Sequence, residues 1–317
     1  MTNNKDLSGE IPSFEIAKPF LKWAGGKTQL LNEIQENIPI EIKKAKKFNY
    51  VEPFVGSGAV FFTMVRLFRN KLNKIIINDI NKNLINVFKV IKENPLELIN
   101  RLEILKNKYY SLSEVGRELF FYQKRDEYNS TILEVDNIKK STLFILLNKL
   151  CFNGLYRENS KGKFNVPFGK YKNPQIYDKK TIIADSEILN NVEIINLDYK
   201  KTLGYLDDAL TLYYLDPPYK PISLTSSFNS YSKDNFDDNE QERLKIFCDE
   251  LTKKNIYFIL SNSDMQNIDK KNVYFDTLYG NYSIKRVTAK RAINSNAKKR
   301  GEINELLIHN EKIITSS

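Results

Sequence analysis

The segment TLYYLDPPYK places a carboxylate and an aromatic ring on either side of two prolines, Asp216-Pro217-Pro218-Tyr219, at the end of an apolar run. Proline removes a backbone donor and fixes φ, so the pair makes a rigid corner whose carbonyls face outward. At a strand's carboxyl end such a corner offers an acceptor carboxylate, an acceptor carbonyl and an aromatic face close together. A planar amine fits these groups, with both N–H bonds donated to the acceptors and its ring stacked on Tyr219. The lone pair of an amine on an aromatic ring is delocalised into that ring, which makes the nitrogen a poor nucleophile. Acceptors that grip both hydrogens favour the pyramidal form and free the lone pair, a stabilisation realised mainly in the transition state. Neither histidine nor a metal is required. The plain alternative is a proline-rich turn that closes a buried strand.

A second segment, YVEPFVGSGAVFF, runs from an apolar strand through Glu52-Pro53-Phe54 into Gly56-Ser57-Gly58, where a helix begins. Closely spaced glycines at a strand-to-helix turn admit a ligand to the backbone, at the place where open α/β sheets bind ligands. A structural corner would use the same residues. Asp79 ends the next strand, IIIND, 23 positions beyond Gly56. A doubly wound nucleotide fold places its ribose-binding carboxylate at that spacing, whereas a helix N-cap is the simpler role for an aspartate there. In FLKWAGGKTQLL, Gly26-Lys27-Thr28 suggests a phosphate loop, but the required first glycine is replaced by Leu21, which disfavours nucleoside triphosphates. Trp23 could instead pack on a ligand and Lys27 meet a carboxylate.

The elements that would position these groups alternate. Helix follows Lys27, strand lies near 48–53, helix at about 58–69, strand at 75–79 and helix through LINVFKVIKEN. That order predicts an α/β fold with a doubly wound parallel sheet. The alternation stops at residue 96. Residues 96–150 read as helices and 151–172 as a loop and hairpin turning at Lys161-Gly162, so the middle reads as a domain inserted into an α/β core. Strands resume at VEIINLD, TLYYLD, NIYFILSN and NELLIHN, with a helix through QERLKIFCDELTKK, while the first 15 residues read as a tail.

Composition removes several alternatives. One histidine, His309, and two separated cysteines, Cys151 and Cys248, leave little material for a Ser-His-Asp relay, a disulfide framework or a cysteine zinc site. The expected metal content is none. No apolar run is long enough to span a bilayer and MTNNKDLSGE has no signal-like apolar stretch, so a soluble cytoplasmic protein without a membrane partner is expected. The net charge of +10 is uneven. Residues 139–172 carry eight basic side chains against Glu158 alone, and residues 285–300 carry seven with no acid, which leaves the rest of the chain at −4. Such segments suit a polyanion, since each neutralised phosphate releases counterions. A solvated lysine-rich face is the competing explanation.

Taken in order, these motifs resemble the Dam-like, α-group DNA adenine N6-methyltransferases from about Pro19 to His309. FLKWAGGKTQLL resembles the N-terminal cofactor motif, VEPFVGSGAVFF and IIIND the S-adenosylmethionine turn and ribose acid, FNGLYRENSKGKFNVPFGKYKNP the target-recognition hairpin, and LDPPY the catalytic motif. The resemblance implies a Rossmann-like class I methyltransferase core, residues 16–95 and 181–317, with a mainly helical target-recognition domain at 96–180. It implies S-adenosyl-L-methionine as cofactor, held by Trp23, Lys27, Glu52, Phe54, Gly56, Gly58 and Asp79, with Asp198 meeting its adenine. Asp216, Pro217, Pro218 and Tyr219 would be catalytic. Phe152, Asn153, Leu155, Arg157, Pro167 and Tyr171 match the segment that members acting on GATC use to read double-stranded DNA, with the target adenine flipped from the stack. Arg157 would pair with a guanine edge, Leu155 and Pro167 would touch a thymine methyl, and Phe152 would wedge into the gap. A phosphate contact is the other role open to Arg157.

The resemblance further implies a monomer, bacterial or phage-encoded and nucleoid-associated, with a restriction endonuclease as a genetic rather than physical partner. Competing functions are methylation of another GA-containing site, of RNA or of a glutamine amide, and a catalytically silent DNA-binding protein. The basic insert and the likeness of the recognition segment disfavour RNA and a glutamine amide, and the intact Asp216 and Tyr219 disfavour a silent protein, whereas another GA-containing site stays open because relatives with such sites share the arginine and the proline. A nuclease is disfavoured by the lack of a clustered acid and lysine arrangement elsewhere.

Overall fold

The computed structural model describes residues 12–23, 27–219, 236–290 and 302–315. Among the described residues there are seven strands: β1 Phe48–Glu52, β2 Leu72–Asn78, β3 Val192–Ile195, β4 Thr211–Leu215, β5 Tyr257–Ser263, β6 Ser283–Lys290 and β7 Glu302–His309. Their order in the sheet is β3-β2-β1-β4-β5-β7-β6. The fold is mixed α/β, as expected. The chain forms two compact units, one of Met1–Gly26, Val55–Arg69 and Ile77–Leu197, the other of Lys27–Phe54, Asn70–Ile76 and Asp198–Ser317.

In the second unit β4 pairs in parallel with β1 and with β5, through Asn49↔Thr211 and Leu212↔Tyr257 at one end of each ladder. Every residue of β1, β4 and β5 is buried, which is why their apolar residues do not alternate with exposed polar ones, and why Asn49, Glu52 and Ser261 are buried polar groups. The helix Asp238–Lys253 starts at Asp237, whose carboxylate accepts from the Glu240 N–H, and buries Leu244, Phe247, Cys248 and Leu251 at helical spacing. Burying each large apolar side chain contributes about 1.5–3 kcal/mol. The strand order reverses between β1 and β4, so the carboxyl ends of these two strands form the switch point at which open α/β sheets take ligands.

The sheet is not wholly parallel. β7 runs antiparallel to both β5 and β6. The sequence hides β6 because SIKRVTAK reads as charge, yet Arg286 is held by Asp264 at 3.0 Å and Asp276 at 2.8 Å, and Lys285 by Glu33 at 2.9 Å. Those two cations are therefore matched by local acids. Residues 291–301, the remainder of that basic run, lie outside the described residues.

In the first unit the helices Lys82–Glu93, Pro95–Tyr110, Glu114–Ser130, Asn137–Leu150 and Lys179–Leu189 follow the expected helical stretch and add one, Lys179–Leu189, capped by Asp178. Asn137–Leu150 is buried on nearly all faces because three of the others pack around it. Lys140, counted in the basic segment, is one of its buried residues and donates to the Tyr128 and Thr131 carbonyls at 2.6 and 3.0 Å. It is a structural cation. Of the expected tail, residues 1–11 lie outside the described residues, whereas Ser13–Ile16 forms a short helix against Lys179–Leu189.

Candidate active site

In the second unit the corner after β4 stands at the switch point. Asp216 Oδ1 accepts from Ser261 Oγ at 2.9 Å and lies 3.0 Å from the Lys27 ammonium. Lys27 is buried, also lies 3.6 Å from Glu305 Oε2, and sits 4.0 Å from the centre of the Tyr219 ring. Tyr219 donates its phenol to Glu305 Oε2 at 2.5 Å. Asp216 and Tyr219 thus converge on the Lys27 ammonium, one through an ion pair and the other through its ring face. Burial pushes the Asp216 carboxyl above its ordinary value, with Lys27 and Ser261 pulling it back. Burial and the neighbouring carboxylates push the Tyr219 phenol well up, so it remains a donor. Pro217 is buried and Pro218 exposed.

At the end of β1, Glu52 is buried and accepts from the Tyr50 phenol. Burial raises the Glu52 carboxyl well above its usual range against the pull of that hydrogen bond, and the charge of Asp216 raises it further. Phe54 packs on Tyr199 at 5.2 Å and edge-on to Phe236 at 6.1 Å. Asp198 is committed on both oxygens: Oδ1 accepts from the Lys200 N–H at 3.0 Å and Oδ2 pairs with Arg243 at 2.7 Å.

In the first unit the glycine turn is conformationally demanding. Gly56 and Gly58 have φ of +50° and +79°, a region that side chains disfavour, and a Cβ on Gly56 would lie 3.1 Å from the Trp23 ring. Asp79 accepts from the Gly56 N–H at 3.1 Å and the Asn81 N–H at 2.9 Å. It is not the helix cap; Asn81 caps Lys82–Glu93 by accepting from Asn83 and Leu84. Burial pushes the Asp79 carboxyl up to about 6 despite those backbone bonds. Trp23 stacks on Tyr156 at 5.6 Å and Phe144 at 6.3 Å, contacts that nothing in the local sequence announces.

The segment expected to read DNA belongs to the same unit. Its hairpin closes through Asn159 N–H to the Lys163 carbonyl and Asn165 N–H to the Arg157 carbonyl, at 2.9 and 3.1 Å. Phe152 is 52% exposed, and its N–H donates to the Pro167 carbonyl at 2.9 Å. Asn153 has a left-handed φ of 55° and donates its N–H to the Tyr171 hydroxyl at 2.9 Å. Arg157 is exposed, with Nε donating to Asn165 Oδ1 at 2.9 Å, and Pro167 is exposed too, while Leu155 is half-buried. Phe164, Val166 and Phe168 anchor the hairpin from below. A Cβ on Gly154 would strike the Lys22 side chain at 2.4 Å, which fixes glycine there.

Sequence reading missed Ser261, Glu305 and Tyr156. The first two come from strands that join the corner only through sheet register, so local pattern carries no signal for them. Among the described residues no cluster of three or more potential metal ligands exists, and no helix is long and apolar enough to cross a membrane.

Comparison with known proteins agrees with this chemistry. Residues 23–293 match the model of D12 class N6 adenine-specific DNA methyltransferases. The chain is 46% identical to the type II methyltransferase M.MjaIII of Methanocaldococcus jannaschii, over 92% of this chain and 99% of that one. It is 36% identical to the type II methyltransferase M1.LlaDCHI of Lactococcus lactis subsp. cremoris, over 92% and 95%. With the DNA adenine methylase of Escherichia coli K12 it shares 32% identity over 92% and 94%. The chain belongs to the D12 class of N6 adenine-specific DNA methyltransferases.

Proposed function

We propose that this adenine-specific DNA methyltransferase acts on double-stranded DNA at GATC, moving a methyl group from S-adenosyl-L-methionine to the N6 amine of a flipped adenine. The corner at the switch point supports this reading: Asp216 and Tyr219 converge on one nitrogen, the Lys27 ammonium, so a carboxylate and a ring face lie within reach of a single group there. Asp216 and the Pro217 carbonyl would take the two N–H bonds of the adenine amine, and Tyr219 would stack on the base. The nitrogen would attack the methyl carbon in line as that carbon's bond to sulfur breaks and the thioether leaves, and the proton it then sheds would pass to the Asp216 carboxylate or to solvent. Pro218 contributes rigidity.

The residues fit the cofactor in chemistry. Gly56 and Gly58 present bare backbone at a strand-to-helix turn, and the Asp79 carboxylate, braced by backbone N–H groups, offers an acceptor suited to a ribose hydroxyl. Trp23 and Phe54 offer apolar faces, Lys27 a cation, and Glu52 a carboxyl held toward its neutral form by burial. Asp198 meets the adenine of the cofactor in this proposal, which requires sharing its carboxylate with Arg243. When bound, S-adenosylmethionine supplies a methyl carbon made electrophilic by its sulfonium.

Residues 96–180 are assigned to target recognition and 16–95 with 181–317 to catalysis. Arg157 supplies bidentate contact to guanine, Leu155 and Pro167 touch the thymine methyl, Phe152 wedges into the stack, and Asn153 with Tyr171 holds the segment in shape. The protein acts as a monomer in the cytoplasm. Relatives named type II methyltransferases favour a restriction endonuclease as its genetic partner. Long-read modification mapping of DNA from cells expressing the protein tests the proposal: N6-methyladenine in GATC is expected. Modification confined to other GA-containing sites would remove the specificity, and none at all would remove the activity.

A further inference from the structure

We propose that Glu305 is a positioning residue for methyl transfer, setting the plane of the Tyr219 ring through its phenol and holding Lys27 beside Asp216. The inference rests on the reading of Asp216 and Tyr219 given above. Glu305 lies within β7, paired with Ser263 of β5 on one side and Val287 of β6 on the other, so its backbone is held by two ladders. Its side chain is 15% exposed and directs Oε2 to both the Tyr219 phenol, at 2.5 Å, and the Lys27 ammonium, at 3.6 Å.

Tyr219 follows two prolines, which fix the chain entering it. Its phenol is tied to a rigid strand at the other end. A ring held at both ends keeps one plane, whereas a ring held only at Cα swings about χ1. Stacking a base requires the first condition. The same carboxylate gives Lys27 a second anion, so the ammonium is shared rather than committed to Asp216 alone. Because burial keeps the phenol protonated, the tether persists across the neutral range.

The test compares full-length E305A, E305Q, Y219F and the E305A/Y219F double variant. Each is assayed for single-turnover methylation of the duplex that modification mapping identifies, with thermal melting and cofactor titration alongside. Since a hydrogen bond contributes about a factor of ten, Y219F should lose about tenfold in kcat, E305A at least as much because it also releases Lys27, and the double variant no more than E305A. E305Q, whose amide oxygen still accepts from the phenol, should stay within about threefold of the parent. Cofactor affinity should change little in all four. Losses that multiply in the double variant, to about tenfold beyond E305A, or a parental kcat in E305A, overturn the proposal. Should E305A fail to fold, Y219F decides: parental turnover overturns the inference, and a tenfold loss beside an active E305Q sustains it. D216A separates this inference from its premise, because an active D216A refutes the corner itself, while an inactive D216A with a parental E305A refutes only the part played by Glu305.

Discussion

The corner after β4 and the hairpin at 151–172 are built on opposite principles. At the corner every functional side chain is bonded to another: Asp216 to Lys27 and Ser261, Tyr219 to Glu305, Lys27 to both carboxylates. At the hairpin the backbone and buried anchors such as Phe164 and Phe168 provide the structure, and Phe152, Arg157 and Pro167 project from it exposed. The difference fits the tasks proposed for the two regions. Activating one nitrogen requires dipoles fixed before the substrate arrives, because reorganising them costs barrier height. Reading a duplex requires side chains that reach base edges, and these need support only at their base.

The contrast breaks first if Lys27→Ala is mild. Removing the ammonium leaves Asp216 and Glu305 as neighbouring carboxylates without their shared cation, and kcat should fall on the order of a hundredfold. The pH profile gives the sign. Burial already holds Asp216 above the ordinary carboxylate value, so activity in the parent should be lost, as pH falls, at higher pH than an exposed aspartate would dictate. Lys27 opposes that rise, so the acid limb of kcat/KM should move further up in Lys27→Ala. A limb that moves down would contradict the electrostatics.

Arg157→Ala sharpens the other side of the comparison. Discrimination at the guanine should fall by roughly 1–3 kcal/mol, measured as the ratio of kcat/KM on cognate and substituted duplexes, with the melting temperature unchanged. Equal loss on both duplexes would make Arg157 a phosphate contact instead. Ser261→Ala should have a modest effect, a few-fold to about tenfold in kcat, since Asp216 keeps Lys27 after losing one neutral donor. A single-turnover assay that finds no loss would show that the Ser261 hydroxyl does not orient the carboxylate.

Much of the molecule was legible because its chemistry is contiguous. The Asp216–Tyr219 corner, the Gly56–Gly58 turn and Asp79 at its strand end are local patterns, and apolar stretches marked β1, β4 and β5. What depends on register or packing was hidden. Glu305 reaches Tyr219 across 86 positions and Ser261 reaches Asp216 across 45. Trp23 finds Tyr156 through the helical unit. Charge misled twice: it masked β6, where Lys285 and Arg286 are matched by acids, and it counted Lys140, which is buried and bonded to carbonyls. The capping reading of Asp79 failed because Asn81, two residues on, caps the helix and leaves Asp79 to brace the glycine turn.

Asp216→Asn tests the central claim most directly, since it keeps the shape of the side chain and removes its charge. Transfer of a labelled methyl group to duplex DNA in a single turnover, measured beside cofactor affinity, should show transfer slowed on the order of a thousandfold with cofactor binding changed only a few-fold. Transfer within about tenfold of the parent would show that the carboxylate does not activate the adenine amine.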